Sequence, residues 1–152
     1  MDEPGIYARE SPYLERFVQL GVASGKVISV SFPSAMPEEA GTDHELLDRV
    51  FAYLEGERED FESVEVALTV PTDQRAVLEA VRGVPYGEDV SVAQLARMTP
   101  GLDPEDDDDQ RLVREALAGN PAPLLIPDHR VRDGSSAAPP DVEQKLRSLE
   151  DL

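Results

Sequence analysis

Apolar side chains recur at two periods along the 152 residues, every second position in much of the first half and every third or fourth in the second. Residues 13–22 place Leu14, Val18, Leu20 and Val22 at even spacing. Residues 26–32 put Ile28, Val30 and Phe32 on one face, with Ala23-Ser24-Gly25 between the two runs as a turn, so a β-hairpin is predicted. After a Pro- and Glu-rich loop over 33–41, Thr42 or Asp43 can cap a helix that carries Leu46, Leu47, Val50, Phe51 and Leu54 and ends at Gly56. Its apolar stripe, about 100° wide, suits a helix lying on a sheet. Residues 61–70 alternate Val64, Val66, Leu68 and Val70 with Glu65, Ala67 and Thr69, which predicts a half-buried strand closed by Pro71.

The second half reads as helical. Residues 72–81 carry Val77, Leu78 and Val81 on one side, and Val84-Pro85-Tyr86-Gly87 breaks the helix. Ser91-Val92-Ala93-Gln94 is a capping box opening a short helix with Val92, Leu95 and Ala96 inward. Beyond the turn Thr99-Pro100-Gly101, a helix from about Asp108 to Ala118 presents Leu112, Val113, Ala116 and Leu117. Two short helices joined this way suggest a helix-turn-helix, a pattern that simply packed helices share. Residues 120–127 form an extended apolar segment, 128–140 a loop, and 141–149 a last helix with Val142, Leu146 and Leu149 on one face. The expected fold class is α+β, with a β-sheet lobe bearing one helix over 1–71 and a helical lobe over 72–152.

Composition narrows the chemistry. With no cysteine, the chain has no disulfide framework, no thiolate metal site and no thiol nucleophile. His44 and His129 are the only histidines, so no metal centre and no cofactor is expected. No apolar run approaches the roughly 18 residues of a membrane span, and the start MDEPGIYARE lacks the basic and apolar regions of a signal peptide; no membrane partner and a cytoplasmic location are expected.

The formal net charge is -18, from 32 acids spread between Asp2 and Asp151 against 14 basic residues, of which only Lys26 and Lys145 are lysines. The pattern resembles proteins of salt-accumulating halophiles; an acidic protein with basic partners is the alternative. At about 1 M salt the Debye length is roughly 3 Å, so double-stranded DNA stays a candidate partner at high salt, where local contacts decide. A protein partner is the other candidate.

Three strings, YLEGEREDF, VPYGEDVSVAQLA and GNPAPLLIPDHRV, together resemble the alkylguanine-DNA alkyltransferase family and its inactive alkyltransferase-like relatives. The likeness spans nearly the whole chain and is firmest from Leu54 to Arg132. It implies a ribonuclease-H-like first lobe and a winged-helix-like second lobe. Pro85, Tyr86 and Gly87 match the family's loop, Ser91 its helix start, Arg111 its arginine finger, Asn120 its hinge, and Pro127, His129, Arg130 and Val131 its active-site turn. The resemblance therefore implies DNA contacts from Arg111, Ser91, Asn120 and Arg130, and a pocket at Tyr86, Pro127 and Val131.

The same resemblance puts Asp128 at the reactive cysteine, Val92 at the tyrosine that helps rotate the lesion, and Ser135-Ser136-Ala137-Ala138-Pro139-Pro140 at the pocket loop. Glu150 sits nearer than the family's spacing would place the acid that orients its histidine, so the resemblance does not assign it that role. A carboxylate is a far weaker nucleophile toward an sp3 carbon than a thiolate, so Asp128 and His129 are expected to be vestigial. The expected role is a non-catalytic, repair-related protein that binds DNA or alkylated guanine. Its rivals are a repurposed interaction module that has lost DNA and, more remotely, alkyl transfer or hydrolysis through Asp128. Asp128 itself is expected to pair with Arg130, Arg132 or His129, or to cap a turn. The aspartates at 106–109 suit a helix N-terminus by roughly 0.3 to 1 kcal/mol each but would repel phosphates.

Overall fold

A computed structural model describes residues 4–59 and 61–152, so Asp2 of the acidic spread and Asp60 of the first motif lie outside the described residues. The sheet is antiparallel with three strands in the order β1 (Gly5–Ser11), β2 (Arg16–Ala23) and β3 (Lys26–Ser31). The hairpin stands where expected: Ala23 pairs with Lys26 around Ser24 and Gly25, both at positive φ (54° and 75°), as a two-residue loop between twisted strands needs.

In this half one strand was not predicted and two expectations require correction. Strand β1 carries no apolar alternation, and its one fully buried apolar side chain is Ala8, so periodicity did not reveal it. In β3 the inward residues are Val27 and Val30, with Phe32 buried just beyond the strand, while Ile28 is 47% exposed. Gly21 pairs with Ser29 but Val22 pairs with Val27, which leaves Ile28 as the extra residue of a bulge that resets the phase of the strand. Residues 61–70 form no strand. Only 65–67 meet β3, through Val27 N–H to Glu65 O (2.9 Å) and Ala67 N–H to Val27 O (2.8 Å), because Val30 N–H further along that edge donates to Pro121 O (2.9 Å). Val64, Val66, Leu68 and Val70 still pack against the core, so the alternation marked the buried face correctly.

Helix α1 (Glu45–Leu54) is capped by His44, whose Nδ1 accepts from Leu46 N–H at 3.0 Å, and not by Thr42 or Asp43. Its inward face is Leu46, Leu47, Val50, Tyr53 and Leu54; Phe51 is only half-buried. Helices α2 (Thr72–Val81), α3 (Val92–Met98), α4 (Asp107–Ala118) and α5 (Pro140–Leu149) follow the predicted segments closely. The capping box at Ser91 forms as read: Gln94 N–H donates to Ser91 Oγ at 3.0 Å, and Ser91 N–H to Gln94 Oε1 at 2.8 Å. The result is a mixed α+β fold whose buried core runs without a break from the inner sheet face and α1 through α2, α3 and α4 to α5. None of these helices is long and apolar enough to cross a membrane.

Candidate functional site

The segment between α4 and α5 folds back through the interior. Residues 122–131 are all buried, and Asn120 ties both ends of the apolar stretch. Its Oδ1 accepts from Ala122 N–H at 3.0 Å, while its Nδ2 donates to Ile126 O at 2.9 Å and to Asp128 Oδ2 at 3.0 Å. Between them Leu124 stands at φ +81°, a conformation a branched residue takes only when its surroundings impose it.

A 3-10 turn, Asp128–Arg130, follows. Three residues per turn send three successive side chains in three directions, so Asp128 and its two neighbours reach different partners. Asp128 is 1% exposed and lies in a cage of donors: Asn120 Nδ2, Ser136 Oγ at 2.6 Å and Ala137 N–H at 2.9 Å. Burial pushes its carboxyl pKa up, and these hydrogen bonds pull against that rise without cancelling it. Arg130, Arg132 and His129, its expected partners, are engaged elsewhere.

His129 Nε2 meets Glu150 Oε2 at 2.6 Å, and Arg130 holds the same carboxylate with Nε at 2.8 Å and Nη2 at 3.1 Å. Gly87 N–H (3.0 Å) and the Tyr53 hydroxyl donate to it as well. Against the cost of desolvation, the bonds from His129, Arg130 and Tyr53 hold Glu150 down to about 2. Burial, followed by the charge of Glu150, pushes the Tyr53 phenol far above its ordinary range, so Tyr53 stays a donor. The end of α5 thus brings Glu150 onto His129, although its distance along the chain did not suggest the pairing. His129 Nδ1 has no hydrogen-bond partner among the described residues.

The expected site residues fall into three groups. Arg130 and Asn120, expected to contact DNA, are buried and spend their donors inside: Arg130 Nη1 also reaches Val84 O at 2.7 Å. Ser91 serves as the α3 cap, and Val92 beside it is buried. Arg111 alone among the four stands in the open, with its guanidinium 3.4 Å from Asp108. The α4 N-terminus around it is acidic throughout: Asp106 caps it by accepting from Asp108 N–H (2.8 Å) and Asp109 N–H (3.3 Å), and Asp109 accepts from Asp103 N–H (2.8 Å).

Of the expected pocket residues, Val131 is buried, while Tyr86 and Pro127 line a cavity of about 230 Å³ together with Phe61, Arg82, Leu125 and Arg130. Asp128 does not border it. Tyr86 stacks edge-on against Tyr53 at 5.9 Å and lies under the guanidinium of Arg58 at 4.9 Å.

With the site in view, comparisons with known proteins become informative. The profile of the 6-O-methylguanine DNA methyltransferase, DNA binding domain, matches residues 72–150. The chain belongs to the O6-methylguanine-DNA methyltransferase family. It is 35% identical over 114 residues to a methylated-DNA--protein-cysteine methyltransferase of Methanopyrus kandleri, covering 72% of this chain and 79% of that one. A protein of the same name from Archaeoglobus fulgidus is 29% identical over 117 residues, covering 77% and 74%. In fold it resembles Mycobacterium tuberculosis OGT solved in complex with DNA (TM-score 0.74, 24% identity, 97% of this chain and 91% of that one). It also resembles the O6-methylguanine-DNA methyltransferase of Pyrococcus kodakaraensis (TM-score 0.72, 21% identity, 97% and 100%). The family relatives are named for a cysteine that receives the methyl group, and this member contains no cysteine, consistent with loss of that activity.

Proposed function

We propose that this chain is a non-catalytic member of the methyltransferase family that associates with DNA and transfers no alkyl group. One observation carries the reading: the side chain at 128, where the likeness puts the nucleophile, is a buried carboxylate whose oxygens accept from Asn120, Ser136 and Ala137. An attacking group needs an open line to its substrate, and Asp128, buried with donors on both of its oxygens, has none. Hydrolysis through Asp128 meets the same obstacle. Association with DNA is supported by the domain match over 72–150 and by the DNA complex of the M. tuberculosis relative of like fold. Arg111, exposed on α4 where the likeness puts the arginine finger, is the cation assigned to the duplex, and high salt would screen the net charge of -18.

A second reading, a repurposed interaction module without DNA, is favoured by the aspartates at 106–109 and by the pairing of Arg111 with Asp108. Titrating labelled duplex, with and without O6-methylguanine, in about 2 M KCl separates the two. The first reading expects binding that weakens on Arg111→Ala. No binding to either duplex overturns it in favour of the second. Mass spectrometry after incubation with alkylated duplex is expected to find no modified residue; an alkyl ester on Asp128 would refute the non-catalytic assignment.

A further inference from the structure

Residues 134–138 have no regular secondary structure and run across Asp128 between the 3-10 turn and α5. Among the described residues, every hydrogen bond that ties 135–138 to the rest of the protein ends on one side chain. Ser136 Oγ donates to Asp128 Oδ1 at 2.6 Å and Ala137 N–H to Asp128 Oδ2 at 2.9 Å, while Ala138 N–H turns back to Ser136 Oγ at 3.1 Å. The segment is anchored at its start by Gly134, where an added Cβ would stand 2.7 Å from Leu117 Cδ1 and 2.9 Å from Val131 Cγ1. The close approach of this backbone to the core thus depends on glycine, and its closure further along depends on the carboxylate.

We propose that Asp128 is the latch of a lid: its carboxylate holds residues 134–138 shut over the 128–130 turn, and the chain closes its own site by an internal ligand. Three donors from separate stretches of chain, Asn120 Nδ2, Ser136 Oγ and Ala137 N–H, converge on the space that the carboxylate fills. A carboxyl group accepts on both of its oxygens, so Asp128 ties Ser136 through Oδ1 and Ala137 through Oδ2, which an alanine could not do. The donors form an anion cage, and removing the side chain should leave a carboxylate-sized vacancy lined by all three. That this closure excludes a base from the site rests on the functional reading above; the latch itself does not.

Amide hydrogen exchange read by NMR tests the latch in the full chain without DNA, so a failure to bind DNA leaves the result intact. In Asp128→Ala the Ala137 amide is expected to exchange at least about tenfold faster than in the parent, with the α2 amides of Val77 and Leu78 unchanged. Sodium formate, a carboxylate free of the chain, is expected to slow Ala137 again in the variant at constant ionic strength, and to do nothing in the parent, where the cage is full. If Asp128→Ala does not fold, Ser136→Ala decides: it removes one donor, keeps the carboxylate, and should speed Ala137 together with Ala138, whose amide loses Ser136 Oγ, while Val77 and Leu78 stay unchanged. Unchanged exchange at Ala137 in the folded variants, or acceleration that formate leaves untouched, overturns the latch.

Discussion

Glu150 Oε2 and His129 Nε2 stand 2.6 Å apart with both side chains fully enclosed, and the same carboxylate carries the guanidinium of Arg130. One acid thus neutralises a buried cation and fixes the imidazole that follows Asp128. Removing one member of a buried ion pair strands the other, at a cost of about 3 to 5 kcal/mol. Glu150→Ala is therefore expected to lower the unfolding free energy by that amount in urea titrations at fixed KCl. A loss under about 1 kcal/mol would mean that the network contributes little, because a stranded Arg130 could not be so cheap.

The same residue sets a pH dependence. Glu150 ionises at about 2 in the folded chain against 4.5 ordinarily, so its stabilisation is complete above 4.5 and is lost as pH falls toward 2. At about 1.4 kcal/mol per unit, the difference is on the order of 3 kcal/mol. Asp128 works in the opposite sense. Its pKa is raised, so its ionised form weakens the fold at neutral pH and protonation relieves that penalty on acidification. The stability gap between the parent and Glu150→Gln should stay flat from pH 7 to about 4.5 and narrow below it. A gap already closing near pH 6 would contradict the assigned depression.

Helices α2 to α5 were legible because each carries both its apolar stripe and its end signals, with Ser91 and Gln94 marking α3 most plainly. The sheet was less so. Val27 and Ile28 are both apolar, and nothing local says which of them turns inward once a bulge is inserted. The site shows the same limit. Tyr53 shares the phase of Leu46 and Val50, and Glu150 that of Val142 and Leu146, yet neither is counted among the inward residues when only apolar positions are read. What that spacing lacked was a reason for a polar group to be there, and the reason is each other, 97 residues apart in the chain. The Asp128 partners Ser136 and Ala137 left no signal, since a loop carries no period from which its return can be read.

Gly134 offers a test of how tightly the lid segment sits. A methyl group there would meet Leu117 Cδ1 at 2.7 Å and Val131 Cγ1 at 2.9 Å, both on buried side chains that have little room to yield. Gly134→Ala is expected to destabilise the chain by about 1 to 3 kcal/mol through overpacking. Thermal unfolding at fixed salt reads the effect. An unchanged midpoint would show that the segment can lift away from α4 freely.

Arg111 should behave in the contrary way. Its ion pair with Asp108 joins side chains that are 69% and 85% exposed, one turn apart on α4, where water and salt screen the attraction. Pairs of this kind contribute about 0 to 1 kcal/mol, and high KCl moves the value toward zero. Arg111→Ala is therefore expected to leave the urea midpoint in about 2 M KCl within error of the parent. The Asp106 cap and the acidic first turn, which complement the helix dipole without Arg111, keep the N-terminus of α4 formed. That neutrality makes the variant a clean probe of duplex binding: affinity lost on this substitution reports a contact and not a damaged helix. A clear drop in stability would instead make Arg111 a structural counter-charge for its neighbouring aspartates and would count against its assignment to DNA.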